Sequence, residues 1–552
     1  MRNKKQMNKL ALQTKLKRLL IAGGLAALVA VSLLSGNAGM RKVDAAQGDV
    51  KINSTNFPDE GFRKYISGNI DLNEDGVLSK SEIKSVKTIC LSYTSEEYGY
   101  TCKSLTGINI FTELQTLECA GNELTKLDVS KNSKLEYLSC RFNELTKLDV
   151  SKNTKLVKLD CDDNELTKLD VSKNTKLVEL DCGSNKLTKL NISKNSKLMY
   201  LYCSWNKLTN LNISKNQDLR ELVCSYNKLS KLDVTKNKKL NSLYCGDNKL
   251  SNLDVTKNKK LIRFDCRRNN LKQLNLRYNE WLAWLVCSEN KITSLDTSHN
   301  KTLLHVECYN NKLTKLDFSA SPLCDYVVCY ANKLTEIILA EGIEITNDSY
   351  DQELANSIKI KNKKTKPMKT GEYIVLNADK GFCVFRITGS KQGKETVKCV
   401  YYATDMLQYR EVFNYVTKNC KFGNKTYKVT AIGANAFKNV KFSDGWTDCE
   451  SITIGNSVKT IGSKAFAGTE DLKYIILDES VEEIGSYAFA NSKDLKVLKI
   501  KSTKLTSKTL NKNAFAGITS KTTVKVPKSK LSTYEKLFRK CGLSKNVKIK
   551  AI

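Results

Sequence analysis

The feature that most constrains this chain is a thiol that returns every 21 residues. Cys119, Cys140, Cys161, Cys182, Cys203, Cys224, Cys245, Cys266, Cys287, Cys308 and Cys329 keep that interval without a slip. A metal site gathers its ligands within about two to five residues of one another. Here the interval never tightens and brings no histidine with it, which argues against zinc. A fixed period of about 20 to 29 residues with leucines at set offsets marks instead a solenoid, in which each coil buries its apolar edge against its neighbours.

Within one coil, "LVELDCGSNKL" (177–187) fits L-x-x-L-x-L-x-x-N-x-L with Cys182 in the place of the third leucine. Side chains alternate along a strand, so Leu180 and Cys182 point inward while Asp181 points out. Asn185 recurs as Asn122, Asn143, Asn164, Asn206, Asn227, Asn248, Asn269, Asn290, Asn311 and Asn332. Its amide has the donors and acceptor needed to satisfy backbone groups that the coil turns inward at its corner. The other half of the coil, "LTKLDVSKN" (166–174), repeats the theme with Leu169, Val171 and Asn174. The Asp of that half (Asp128, Asp149, Asp170, Asp233, Asp254) repeats too regularly for a catalytic pair.

The pattern LxxLxCxxNxLTxLDVSxN over residues 105–345 resembles the cysteine-ladder leucine-rich repeats of the internalin J type, found on Gram-positive cell surfaces. The resemblance implies a curved solenoid whose concave strand face binds a partner. The chain departs from that family in lacking an LPxTG-like sorting signal and a terminal apolar tail, so covalent wall anchoring is not expected. The expected fold is an α/β to mainly β solenoid with a parallel sheet on its concave face.

The N-terminus sets the expected compartment. A basic stretch, "MRNKKQMNKLALQTKLKR", precedes the apolar "LLIAGGLAALVAVSLLSG", and Val43-Asp44-Ala45 offers small residues for cleavage. Residues 1–45 therefore read as a signal peptide, with no transmembrane segment after its removal. The alternative is a retained anchor, because the apolar run is near bilayer-spanning length. The expected place is secreted, extracellular or loosely wall-associated in a Gram-positive bacterium. A formal charge of +33 favours polyanionic company. No nucleic-acid-binding motif occurs, so an anionic envelope polymer or a glycan fits the compartment better.

Residues 46–92 read as a helical cap around "DLNEDGVLSKSE" (71–82), which matches the twelve-residue EF-hand loop. Asp71, Asn73, Asp75, the Val77 carbonyl, Ser79 and Glu82 would supply oxygens to calcium, and Gly76 would permit the turn. The preceding helix would carry Phe62, Tyr65 and Ile66 inward. A lone loop of this kind suits a structural clip at the end of a solenoid better than a sensor.

The 21-residue repeats fill residues 93–345. Residues 346–430 read as a linker, "IKIKNKKTKPMKTG" (358–371), followed by β-strands. From residue 431 to 552, "IGANAF", "IGSKAF", "IGSYAF" and "NAF" mark a second repeat, which resembles BspA-type leucine-rich repeats. "KLSTYEKLFRKCG" (530–542) would make an amphipathic closing helix. The ladder thiols are expected reduced, since the Cβ vectors of stacked inward positions run parallel. Cys90 with Cys102 and Cys383 with Cys399 are the expected disulfides, the latter across a hairpin turning near Lys391.

Catalysis finds little support. The two histidines, His299 and His305, form no metal-binding pair, and no GxSxG, HExxH or phosphate loop is present; a glycan-cleaving activity is the enzymatic alternative. Positions flanking the cysteine change at almost every coil while the LDVS half hardly changes. Tyr137, Phe142, Asp160, Asp163, Asp181, Tyr200, Tyr202, Trp205, Tyr226, Tyr244, Trp284 and Tyr309 are therefore the candidate contacts for a host or bacterial surface protein or glycan. The competing expectation is an envelope-associated structural protein held to anionic wall polymers by columns of lysine such as Lys126, Lys147 and Lys168.

Overall fold

The chain was analysed as a computed structural model, which describes residues 48–91, 101–341, 343, 358–363, 369–370, 372–378, 381–389, 396–404, 419–422, 425–440 and 451–552. The signal-peptide assignment lies outside the described residues. No described helix is long and apolar enough to cross a membrane.

The described chain is a parallel β-solenoid. Twelve three-residue strands, from Thr88–Cys90 to Tyr326–Val328, form one sheet in chain order, with a single strand, Lys315–Asp317, set aside from it. From Leu117 onward the register advances one repeat per strand, as in Leu180 on Leu201 and Leu201 on Leu222. The 21-residue period is thus the pairing register itself. Each strand from Thr116–Glu118 onward in this sheet buries its central residue and the cysteine that follows; the eleven ladder thiols are at most 1% exposed. None of them is in a disulfide. Several point along the stack at the next coil's carbonyl, as Cys119 Sγ does at Ser139 O (3.4 Å) and Cys161 Sγ at Asp181 O (3.4 Å). Burial pushes the ten from Cys119 to Cys308 above the ordinary thiol range, Cys287 up to about 12, so a reactive thiolate is suppressed there.

Two asparagine columns flank the thiols. Asn185 Nδ2 donates to Cys161 O (2.9 Å) and Gly183 O (2.7 Å), and its Oδ1 accepts from Leu166 N (2.9 Å), so one amide clamps two coils. In the second column Asn174 Nδ2 donates to Val150 O and Asn153 O, both at 2.9 Å. Its Oδ1, like those of Asn132, Asn153, Asn195 and the later members to Asn300, is buried without a partner; we have no physical account of why this column leaves its acceptor unused. The LDVS aspartates cap turns. Asp149 Oδ1 accepts from Ser151 N at 2.8 Å, and that bond holds its carboxyl below the usual range.

At the N-terminal end, α1 (Glu60–Asn69) starts at Asp59, whose Oδ1 accepts from Phe62 N at 2.8 Å. The other Asp59 oxygen accepts from Lys103 N (2.8 Å) and Ser104 N, tying the cap to the first coil. Phe57, Phe62 and Ile66 are fully buried in the same core as Leu105, Ile108 and Phe111, and Tyr65 packs partly buried against it. α2 (Lys80–Ser85) begins with a complete capping box between Ser79 and Glu82. Val50–Lys51 pairs antiparallel with Val77–Leu78 across the intervening loop.

The second block stacks five parallel strands, Ser451–Ile454, Tyr474–Leu477, Val497–Ile500, Thr523–Val526 and Lys548–Ala551. Its internal ladder is aromatic. Phe437, Phe466, Phe489 and Phe515 lie nearly parallel at centroid separations of 4.9, 5.6 and 6.1 Å. Phe538 of α3 (Leu531–Lys540) closes the row at 4.9 Å, tilted by 46°. The glycine of each IGxxAF segment is sterically required: a Cβ on Gly485 would sit 2.5 Å from Ser463 N. Between the blocks, Val384, Tyr373 and Val400 pack against Ile262, Ala283, Trp281 and Leu304 of the coils.

Three expectations are corrected. Cys90 and Cys102 do not form a disulfide with each other. The reason is directional: Cys90 occupies the outward strand position beside Glu118, its Sγ 3.6 Å from that carboxylate, whereas Cys102 is fully buried. Cys383 does not face Cys399; the pairing is centred about one residue beyond Lys391, which sets Cys399 opposite Phe385 and Cys383 opposite Tyr402. The charged stretch at 358–363 is not simply linker: Lys359–Lys363 pairs in parallel with Glu336–Ala340, and Lys315 and Lys361 both bridge Glu336, at 2.5 and 2.6 Å.

Candidate partner-binding face

Each strand of the large sheet turns two side chains outward, which gives two columns along the concave face. Tyr137, Tyr200 and Trp284 lie in the first, with Lys158, Glu179, Glu221, Arg263, His305 and Tyr326. Asp160, Asp181, Tyr202 and Tyr244 lie in the second. Stacking at one-coil spacing makes columns interact lengthwise. Trp284, His305 and Tyr326 form a continuous stack with centroids 3.6 and 4.2 Å apart, and Arg263 lies over Trp284 at 5.9 Å. His305 Nε2 meets Glu307 Oε1 at 2.8 Å. That histidine is a wedge in an aromatic row, held on its ring nitrogen by Glu307.

Phe142, Asp163, Trp205 and Tyr226, expected on the sheet, stand one step beyond it. They occupy the turn that leaves each strand, at φ of 53°, 51°, 55° and 54°. The whole column shares this left-handed backbone, from Gly121 to Ala331, because the chain must reverse there to bring the corner asparagine inward. For residues other than glycine that conformation costs roughly 1–2 kcal/mol. Trp205 and Tyr226 nevertheless stack at 3.8 Å with planes 10° apart, and Trp205 remains 58% exposed. Tyr309 lies one residue after its cysteine and stacks on Tyr330 at 4.7 Å.

The electrostatics divide the face. Around Asp160, Asp162 and Asp181 the carboxylates crowd: burial, then Asp160 and Asp162, push the Asp181 carboxyl up to about 8. Burial likewise raises Glu221 to about 7, against the opposing pull of Arg263 and a hydrogen bond from Tyr202. Lys158 bridges Glu179 at 2.8 Å. Further along, Arg267 grips Asp265 through Nε and Nη2 at 2.8 and 2.7 Å, and Arg268 joins Asp247 and Glu289. Sequence reasoning missed Glu221, Tyr326 and Tyr330. The last two were available as Trp284 and Tyr309 carried forward along their columns.

The EF-hand-like loop supplies an all-oxygen donor set suited to calcium. Asp71 is 4% exposed; its Oδ2 accepts from Gly76 N (3.0 Å) and its Oδ1 has no partner. Asp75 accepts from Val77 N (2.8 Å) and from Asn73 Nδ2 (2.9 Å), and Glu82 accepts from Leu72 N (3.0 Å), Ser79 N (2.9 Å) and Ser79 Oγ (2.8 Å). Gly76 takes the sharp turn at φ 79°. Among the described residues no three His, Cys, Asp or Glu side chains are gathered as a metal site would need, so the donors are present along the loop without being drawn to one point.

Residues 430–551 match the BspA type leucine-rich repeat region in six copies. A comparison with curated protein sequences finds no match. Among solved structures the chain is similar to the functional domain of InlJ from Listeria monocytogenes, which includes a cysteine ladder, at 23% identity over 87% of this chain and 82% of that one, TM-score 0.48. It is similar to the internalin InlF of Listeria monocytogenes at 22% identity over 58% of this chain and all of that one, TM-score 0.44. A leucine-rich repeat protein of Leptospira interrogans is 24% identical over 46% of this chain and 74% of that one, TM-score 0.36.

Proposed function

We propose that this chain is a bacterial surface or secreted binding protein that recognises a protein or glycan through the concave face of its cysteine-ladder block. The observation that carries this reading is the column of Phe142, Trp205 and Tyr226, bulky side chains at left-handed backbone where Gly121 meets the same demand without strain. Packing does not require those rings, since Trp205 is mostly exposed. Large, stiff, amphipathic side chains on a rigid scaffold make good contact anchors. The basic columns would add salt-sensitive attachment to an anionic envelope polymer, and the signal-peptide reading of residues 1–45 would place the protein outside the cell. A protein and glycan array probed with the full chain lacking residues 1–45 tests this: a specific hit lost by Tyr202→Ala with Trp205→Ala at unchanged melting supports it, and a hit indifferent to both changes overturns it.

Calcium is proposed as a clip for the N-terminal cap, held by Asp71, Asn73, Asp75, the Val77 carbonyl, Ser79 and Glu82. The partnerless Asp71 oxygen is the feature that favours it. Calcium should raise the melting temperature of the parent but not of Asp71→Asn. An equal response in both would show that the ion acts elsewhere.

A further inference from the structure

The column of turn residues behaves as a ladder of side chains one coil apart, about 4.8 Å, and several of its steps are filled by groups that complement their neighbours. Arg268 fills its step between two carboxylates, with Nε 2.8 Å from Glu289 Oε1 and Nη1 3.5 Å from Asp247 Oδ1. Trp205 and Tyr226 fill two more by stacking on each other. Away from its ends at Gly121 and Ala331, one step is left nearly blank. Between Asp163 and Trp205 the column holds only Ser184, and the residue beside it is Gly183.

That blank step has defined walls. One face of Trp205 is covered by Tyr226, so its exposed face is turned toward the coil of Ser184. On the far side stand Asp162 and Asp163; Asp162 leans over the glycine, since a Cβ on Gly183 would meet Asp162 Oδ1 at 2.7 Å. Removing one side chain from a ladder of this pitch leaves room for one planar group in van der Waals contact with the indole.

Charge selects the occupant. No lysine or arginine among the described residues forms an ion pair with Asp162, Asp163 or Asp181; nearby, Arg141 reaches Asp160 (3.8 Å) and Lys158 is engaged by Glu179. Burial first, and the neighbouring carboxylates after it, raise both Asp162 and Asp181, although the Ser184 hydroxyl pulls Asp162 the other way. On a chain whose net charge is +33, this is a local acidic notch closed on one side by an aromatic face. The molecule makes the same pairing internally, with Arg141 over Phe142 at 5.3 Å and Arg263 over Trp284 at 5.9 Å.

We propose that the blank step at Ser184 seats a guanidinium or ammonium side chain of a basic polypeptide partner, stacked on Trp205 and ion-paired with Asp162 and Asp163. This rests on the concave-face reading and narrows it to a partner chemistry. A planar guanidinium suits the site better than an ammonium, because it can stack on the ring and fork to the carboxylates together.

The test uses the full chain, a tri-arginine peptide and its uncharged tri-citrulline counterpart, with tryptophan fluorescence and calorimetry at physiological salt. The peptide should bind saturably, and the citrulline form at least tenfold more weakly. Asp162→Asn with Asp163→Asn should also cost at least tenfold. Ser184→Arg supplies the cation within the chain, at a backbone conformation that Arg268 already adopts (φ 50°), and should block the peptide while preserving the fold. Equal binding by parent and Ser184→Arg, or absence of saturable binding, overturns the assignment. So does an uncharged oligosaccharide that binds the parent and is excluded by Ser184→Arg. An array partner lost with Tyr202→Ala and Trp205→Ala but retained by Ser184→Arg overturns the assignment and leaves the concave-face reading standing; a partner indifferent to all three changes overturns both.

Discussion

The two repeat blocks solve one problem with opposite means. Both must repeat an inward side chain at every coil so that neighbouring coils stack without gaps. The first uses a cysteine, small and nearly shape-neutral, and leaves register to polar clamps: each corner asparagine bonds backbone groups of two coils. The second uses phenylalanine rings that stack directly at 4.9–6.1 Å. A clamp that bonds specific carbonyls favours a constant coil length, and the first block keeps 21 residues from Leu117 onward, after a longer first step in which Asn122 still reaches Leu91 O. Stacked rings bear on one another with less positional demand, and the second block lets its intervals run to 29, 23 and 26 residues between Phe437, Phe466, Phe489 and Phe515. Uniform coils give the first block an even sheet on which outward residues can vary freely, which is the property a recognition surface needs.

The comparison can be broken at its apolar end first. Phe466→Ala, in the middle of the ring ladder, should cost about 3–5 kcal/mol, read as lost hydrogen-exchange protection across the second block with the first unaffected. Asn195→Ala should cost about 2 kcal/mol or more, because it strips donors from the buried carbonyls of Val171 and Asn174; the same readout should locate the loss in the first block. Cys224→Ala should cost only about 1 kcal/mol, the scale of one small buried group. If the cysteine change proved as severe as the asparagine change, the polar-clamp account of register would fail.

A finer test concerns pH. The folded Asp181 carboxyl titrates near 8, above an unfolded value of about 3.9. Between those values the folded state holds more protons than the unfolded one, so this residue's contribution to stability is fully present below about pH 4 and is lost as pH rises toward 8. Asp181→Asn should therefore flatten the pH dependence of stability of the first block over that window, with the variant gaining on the parent most at pH 8. The second block should show no such change. Identical slopes for parent and variant would remove the crowded-carboxylate description of the face.

The sequence made the solenoid legible because its period is the strand register, and it made the inward cysteines legible because strand side chains alternate. It could not reveal that Phe142, Trp205 and Tyr226 sit at left-handed backbone. Residues that avoid that conformation fill most of the column, and only Gly121, Asp163, Asp247 and Asn310, of types that tolerate it, hint at it. Nor could it reveal the register that separates Cys383 from Cys399, since moving the centre of a hairpin by one residue moves each partner by two. The strand at Lys359–Lys363 was hidden by its lysines, which ion pairs with Glu336 and Asp317 accommodate.

The central claim is that recognition belongs to the even, variable face and not to the ring-stacked block. Hydroxyl-radical footprinting of the full chain, with and without a partner identified on the array, addresses it directly, because both blocks carry accessible aromatic rings. The account predicts protection of Trp205, Tyr226 and Tyr244, with Tyr474 and Tyr487 of the second block oxidised as before. Protection of Tyr474 and Tyr487 with unchanged oxidation of Trp205 would contradict it.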